Sequence, residues 1–207
     1  MTDLRGVVNK PYYYPPHTKS KTIGWGFWLL WVFFTLAGFL VSLIFVEIGI
    51  RPYIGAFSGA IGGGIIGLAQ WLVLRNYIFR SRWWVVVNIL TWLLIGASSL
   101  GALGWVAPRT EQISVRLFHG LINGAIVGAI LGLGQWFVLR KQIYGEEWWI
   151  IANIIAWAVG LSLGWAVGGF IYGAIGLFIS EVIGLLVTWL FVAVVTGIAL
   201  VRLYSGR

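Results

Sequence analysis

The chain has 207 residues, 60% of them hydrophobic and 10% charged, with a mean hydropathy of +0.93. That balance excludes an ordinary water-soluble domain, and the absence of cysteine excludes disulfides, thiolate metal sites and cysteine nucleophiles. The net charge of +8, from 14 Lys+Arg against 6 Asp+Glu, is in a membrane protein a property of the segments between spans.

Residues 1–22 are polar and rich in Tyr and Pro, and the apolar run behind them is too long for the core of a cleavable signal peptide. They read as a cytoplasmic tail, kept from helix by Pro11 and the Pro15-Pro16 pair, with Tyr12 to Tyr14 suited to headgroup depth. Residues 23–207 then read as one transmembrane domain. Apolar runs of spanning length, about 20 residues or more, fall at 24–47, 52–75, 83–106, 116–140, 148–168 and 180–203. Six spans put both termini on one side. That side would carry Arg5, Lys10, Lys19, Lys21, Arg75, Arg80, Arg82, Arg140, Lys141, Arg202 and Arg207, and the other only Arg51, Arg109 and Arg116. Basic residues collect on the cytoplasmic side of short loops, so both termini are expected there.

The second and fourth runs are copies. GAFSGAIGGGIIGLAQWLVLR, residues 55–75, recurs 65 residues later as GLINGAIVGAILGLGQWFVLR, residues 120–140, and the same offset carries Trp83, Trp84, Asn88 and Trp92 onto Trp148, Trp149, Asn153 and Trp157. An internal duplication of this kind organises the whole fold. The preserved blocks are 51–105 and 116–170, and a decayed third copy occupies 181–205, where Gly197 follows Gly67 and Gly132 but Leu200 stands in place of Gln70 and Gln135. The expected fold is therefore an all-α membrane protein of six transmembrane helices, built as three helical hairpins in parallel orientation. Its arrangement is pseudo-threefold about the membrane normal, or pseudo-twofold if only the preserved blocks pair. One segment breaks the repeat: FIYGAIGLFIS, residues 170–180, is apolar where the loop after the third run is polar. It reads as re-entrant, as an interfacial or docked surface, or as part of a long tilted last helix.

Gly55, Gly59, Gly63 and Gly67, and their copies Gly120, Gly124, Gly128 and Gly132, are spaced four apart and form one ridge per helix. Such ridges let backbones approach closely in lipid, within the chain or between copies of it. Trp84, Asn88 and Trp92, and Trp149, Asn153 and Trp157, form facing stripes. Gln70 lies five residues before Arg75 and Asn88 five after Trp83, so both sit about 7 Å inside the same interface. Gln70 with Asn88, and Gln135 with Asn153, can then pair as interhelical amide clamps, each contributing about 1 kcal/mol. The same oxygens could instead ligate a chlorophyll magnesium, with Trp71 and Trp136 packed on a macrocycle or a carotenoid. His119, one turn inside the far end of the fourth run, is expected to make an interfacial hydrogen bond rather than ligate a metal, since the other histidine, His17, lies in the tail. Glu181 maps onto Arg116 and Arg51 under the offset and is expected to pair with one of them.

No Asp or Lys falls within a span, and no phosphate loop, His-Glu metal motif or Ser-His-Asp set is present. A metal centre, an enzyme and a coupled ion transporter are accordingly disfavoured, and the basic residues suit lipid headgroups rather than nucleic acid. The strings GLAQWLVLR and GLGQWFVLR, each followed by a short turn and WWxxxN, resemble a group of uncharacterised multi-pass membrane proteins common in cyanobacteria, over about residues 52–168. The resemblance implies a fold and a photosynthetic host, in the thylakoid or plasma membrane, and brings no activity with it. Together these features lead to the expectation of a non-enzymatic membrane scaffold or accessory subunit. The alternatives are a pigment- or lipid-binding protein and a transporter of an uncharged or lipidic solute.

Overall fold

The computed structural model describes residues 23–50, 55–108, 110–140, 142 and 145–205. The tail, Arg51, Arg109, Lys141 and Arg207 lie outside them. Six α-helices run through this part: α1 Trp25–Ser42, α2 Ala56–Leu74, α3 Arg82–Ala97, α4 Ile113–Leu139, α5 Trp148–Ile175 and α6 Ile179–Ser205. Each packs on its neighbours in sequence, and α6 packs back on α1, so the helices close a ring. Five of the six are long and apolar enough to cross a membrane, and large apolar side chains such as Phe33, Phe57, Leu94, Phe118, Phe137 and Ile155 stand exposed around the outside. This is the surface of an integral membrane protein, whose outer face meets lipid rather than water.

The sixth helix, α3, departs from the run expected at 83–106. It stops at Ala97 after 16 residues, about 24 Å, short of a hydrocarbon core of roughly 30 Å. The reason is local. The Ser98 hydroxyl donates to the Ile95 carbonyl at 2.6 Å and accepts from the Leu100 N–H at 3.2 Å, and Gly101 takes a left-handed φ of 67°. Sixty-five residues on, these positions are Leu163 and Ala166, which hold helix, and α5 runs on for 28 residues.

After α3 the chain turns back into the bundle, as a 3₁₀ turn at Leu103–Trp105 and a two-residue strand β2, Val106–Ala107, buried throughout. The strand pairs in parallel with β1, Gly49–Ile50, which follows α1. Non-helical backbone among transmembrane helices persists only where protein satisfies its polar groups. Here indoles do so: Trp189 Nε1 donates to the Gly104 carbonyl at 3.0 Å and Trp165 Nε1 to the Val106 carbonyl at 2.9 Å. Trp105 Nε1 in turn donates to the Ser42 hydroxyl at 2.7 Å.

The apolar segment 170–180 is not the re-entrant one. Its first six residues extend α5 to Ile175, Gly176 closes that helix with a left-handed φ of 66° and a 2.7 Å bond to the Tyr172 carbonyl, and α6 starts at Ile179. The extra length therefore belongs chiefly to the fifth helix rather than the last, and Phe170, Leu177 and Ile179 point outward.

Except at Gly55, the glycine ridges are covered within the chain. A Cβ at Gly67 would stand 2.9 Å from Asn88 Cβ, and one at Gly132 would stand 3.0 Å from the Ile150 backbone, so α2 lies on α3 and α4 on α5 through their ridges. Gly197 of α6 is pressed in the same way on Trp28 and Trp31 of α1.

Candidate functional site

The polar side chains expected to matter converge, with partners that spacing alone does not indicate. Gln70 and Gln135 each accept an indole N–H from the helix that follows: Trp84 Nε1 donates to Gln70 Oε1 at 2.9 Å and Trp149 Nε1 to Gln135 Oε1 at 3.2 Å. The direct clamps Gln70–Asn88 and Gln135–Asn153 do not form. Asn88 and Asn153 turn their amide N–H back to the carbonyls of Trp84 and Trp149, at 2.8 and 3.0 Å, so those donors are committed one turn down their own helices. The longer indole on the same stripe reaches the glutamine instead. Each glutamine then donates to the helix before it: Gln135 Nε2 to Asn88 Oδ1 at 3.2 Å, and Gln70 Nε2 to Thr35 Oγ1 at 3.4 Å, the weaker of the two. The amide pairing thus crosses from α4 to α3, between the duplicated blocks rather than inside them.

The ring continues through α1 and α6. Trp31 Nε1 donates to Thr196 Oγ1 at 3.1 Å, and the Thr196 hydroxyl donates to the Val192 carbonyl of its own helix. Trp31, Thr35 and Phe39 are spaced four apart like Trp84, Asn88 and Trp92. That spacing was the available signal for Thr35, whereas nothing in the local sequence marked Thr196. Around this network the indoles form two layers. Trp84 lies 6.0 Å from Trp31 and 5.8 Å from Trp149. Deeper, Trp157 is 5.3 Å from Trp92 and 4.9 Å from Trp189, with Trp105 5.0 Å from Trp92.

Inside lies a void of about 20 Å³, bordered by Gln70, Asn88, Gln135, Asn153 and Thr196. It has room for one water molecule, whereas organic cofactors occupy pockets on the order of hundreds of Å³. No macrocycle or polyene fits at these amides, whose oxygens at Gln70, Gln135 and Asn88 already accept hydrogen bonds. The remaining candidates stand apart from the void. Trp71 Nε1 donates to the Ser81 hydroxyl at 3.1 Å, and Trp136 Nε1 is buried without a partner. Under the repeat offset Ser81 becomes Glu146, so the hydroxyl that serves Trp71 has no counterpart. His119 is exposed beside Phe118, outside the bundle.

Glu181 does pair with Arg116, and both are buried. Arg116 Nη2 donates to Glu181 Oε1 at 2.7 Å and Nη1 to Oε2 at 2.9 Å, while the Trp165 and Thr110 carbonyls accept from Nη1 and Nε at 3.1 and 2.7 Å. Gly168 and Gly169 of α5 leave the space: a Cβ at Gly169 would lie 2.7 Å from Arg116 Cδ. Among the described residues no group of His, Asp and Glu could hold a metal ion. No protein-family model matches the chain, and no curated protein or solved structure matches it.

Replacing Gln135 by leucine should strand both Trp149 Nε1 and Asn88 Oδ1. A loss of about 1–2 kcal/mol is expected, read as a lower thermal midpoint in detergent. A midpoint equal to that of the unaltered chain would mean the network contributes nothing to stability.

Proposed function

We propose that the chain is a non-enzymatic integral membrane protein that serves as a scaffold or accessory subunit of a larger membrane complex. The observation that carries this reading is the sealed interior. The polar centre is bonded to itself around a void the size of one water, and the deeply buried ionisable residues Arg116 and Glu181 neutralise each other. A transporter of uncharged solutes needs a passage at this point, and a pigment would have to sit on the outer surface. In contrast, the apolar exterior is extensive, and the extension at residues 171–179 presents exposed Ile175, Leu177 and Phe178 beyond the length of the repeat.

Within this reading the ring is pseudo-threefold. Two units are α2 with α3 and α4 with α5, and the third is α6 with α1, joined across the two ends of the chain. Three parallels support it. Trp31 bonds Thr196 as Trp84 bonds Gln70, Gly197 meets α1 as Gly67 meets α3, and β1 after α1 pairs in parallel with β2 after α3. Near the two described ends of the chain, Ile23 and Leu203 then lie beside Leu74 and Ile78 at the arginine-rich end, the end that the positive-inside rule favours for the cytoplasm. The resemblance to the cyanobacterial repeat proteins is compatible with a photosynthetic membrane.

The test is native electrophoresis of membranes solubilised in mild detergent, followed by composition analysis and an absorption spectrum of the band. The expected result is co-migration with a stoichiometric partner subunit. A lone monomer of 22.9 kDa in every detergent would overturn the subunit reading, and stoichiometric pigment would replace it with the pigment-binding one.

A further inference from the structure

The ring has one loose seam with a charged mouth. Where α3 passes α4, Gly134 meets Thr91 and Val87, and toward the arginine-rich end the two helices part around a cleft of about 480 Å³. Its walls are Trp83, Val87 and Phe137, and its rim carries Arg80 and Arg140. The Arg80 guanidinium stands 5.4 Å from the Phe79 ring and that of Arg140 4.6 Å from the Phe137 ring. Both cations are thus held at the edge of apolar surface, in a cation–π arrangement that leaves N–H donors for an anion. Among the described residues no carboxylate lines the cleft and neither arginine is paired with one. Arg80 also holds a left-handed φ of 56°, a conformation unfavourable for a non-glycine residue.

We propose that this cleft binds an anionic diacyl phospholipid, its phosphate between Arg80 and Arg140 and an acyl chain along Trp83, Val87 and Phe137. Charge and geometry choose the occupant. Two arginines at the mouth of a cleft between transmembrane helices match one phosphodiester, and the apolar wall running from them into the span matches a chain attached to it. The groove between α5 and α6, about 420 Å³, has similar walls but only Arg202, and the cleft at the far end of α5 carries Glu111, which would repel a phosphate. The site needs the chain to lie in a membrane but does not depend on its having a partner subunit.

The experiment uses the full chain, purified, delipidated and offered equal phosphatidylglycerol and phosphatidylcholine in mixed micelles, with bound lipid counted by native mass spectrometry. Phosphatidylglycerol should be preferred roughly tenfold, because phosphatidylcholine carries the same phosphodiester but adds a quaternary ammonium that two arginines repel. Arg80→Gln with Arg140→Gln should abolish the preference, while Arg202→Gln keeps it. Arg80→Gly, which suits the left-handed backbone and so preserves the fold, should lower it several-fold on its own. Equal binding of the two lipids, or a preference that survives the Arg80→Gln/Arg140→Gln pair, overturns the site. So does displacement of phosphatidylglycerol by millimolar inorganic phosphate, which would mark an anion site without a lipid. None of these outcomes bears on the subunit reading, which native electrophoresis decides separately.

Discussion

Glu181→Ala, with Arg116 left in place, should be among the most damaging single changes to this protein, costing about 3–5 kcal/mol. The magnitude follows from what remains. Arg116 is 2% exposed, and its guanidinium gives two of its N–H groups to Glu181 and two to the Trp165 and Thr110 carbonyls. Without the carboxylate, an uncompensated cation stays buried between α4, α5 and α6, with Gly168 and Gly169 packed too closely to let it move. The pair itself is a different matter, since exchanging both members for apolar residues removes the desolvation cost together with the attraction. Arg116→Met with Glu181→Leu should therefore recover most of the stability lost by Glu181→Ala. Thermal unfolding in detergent, followed through the tryptophans, measures both. A Glu181→Ala variant within 1 kcal/mol of the parent would mean that water reaches the arginine and that the pair does not fasten the three helices.

Gly128→Val should cost at least about 3 kcal/mol, or prevent assembly of α4 on α5, because the obstruction is backbone. A Cβ at position 128 would stand 2.8 Å from the Asn153 carbonyl carbon and from Ile154 Cα. No rotamer change relieves that. The helices must separate, and the neighbouring Gln135 and Trp149 lose their alignment with them. Gly173→Val is the control: nothing lies within 4 Å of a Cβ there, so its midpoint should stay close to that of the parent. Equal losses at the two positions would mean that helix propensity, not close approach, sets the effect.

The contrast between these two glycines shows how far the sequence carries. A ridge of glycines four apart states that something must come close, and the copied stripe Trp149, Asn153, Trp157 states what. The mapping of Glu181 onto Arg116 likewise led to the ion pair. The amides were legible only as to depth. Gln70 and Asn88 lie at one level, yet which donor reaches Gln70 Oε1 depends on side-chain length and on the rotation of α3 about its axis. Trp84 is longer than Asn88 and one turn closer to the interface, and it takes the bond. Asn88 is left to face α4, a contact made across the seam between repeats that no spacing within a repeat describes.

The sequence by itself determined the membrane-embedded helical class, the duplication, the ridges and the residues too polar to face lipid. These follow from period and composition, which act over one or two turns of a helix. Only the tertiary structure decided that α6 closes on α1, and that the chain after α3 folds back under indole donors instead of spanning. It also decided that the two preserved glutamines bond across seams. Closure of the ring brings together residues more than 160 positions apart, Trp31 and Thr196 among them, and such contacts depend on helix rotation and rise, which repeat spacing does not record. The GLAQWLVLR stretch is thus legible as a packing ridge, while its glutamine acquires partners only when the ring closes.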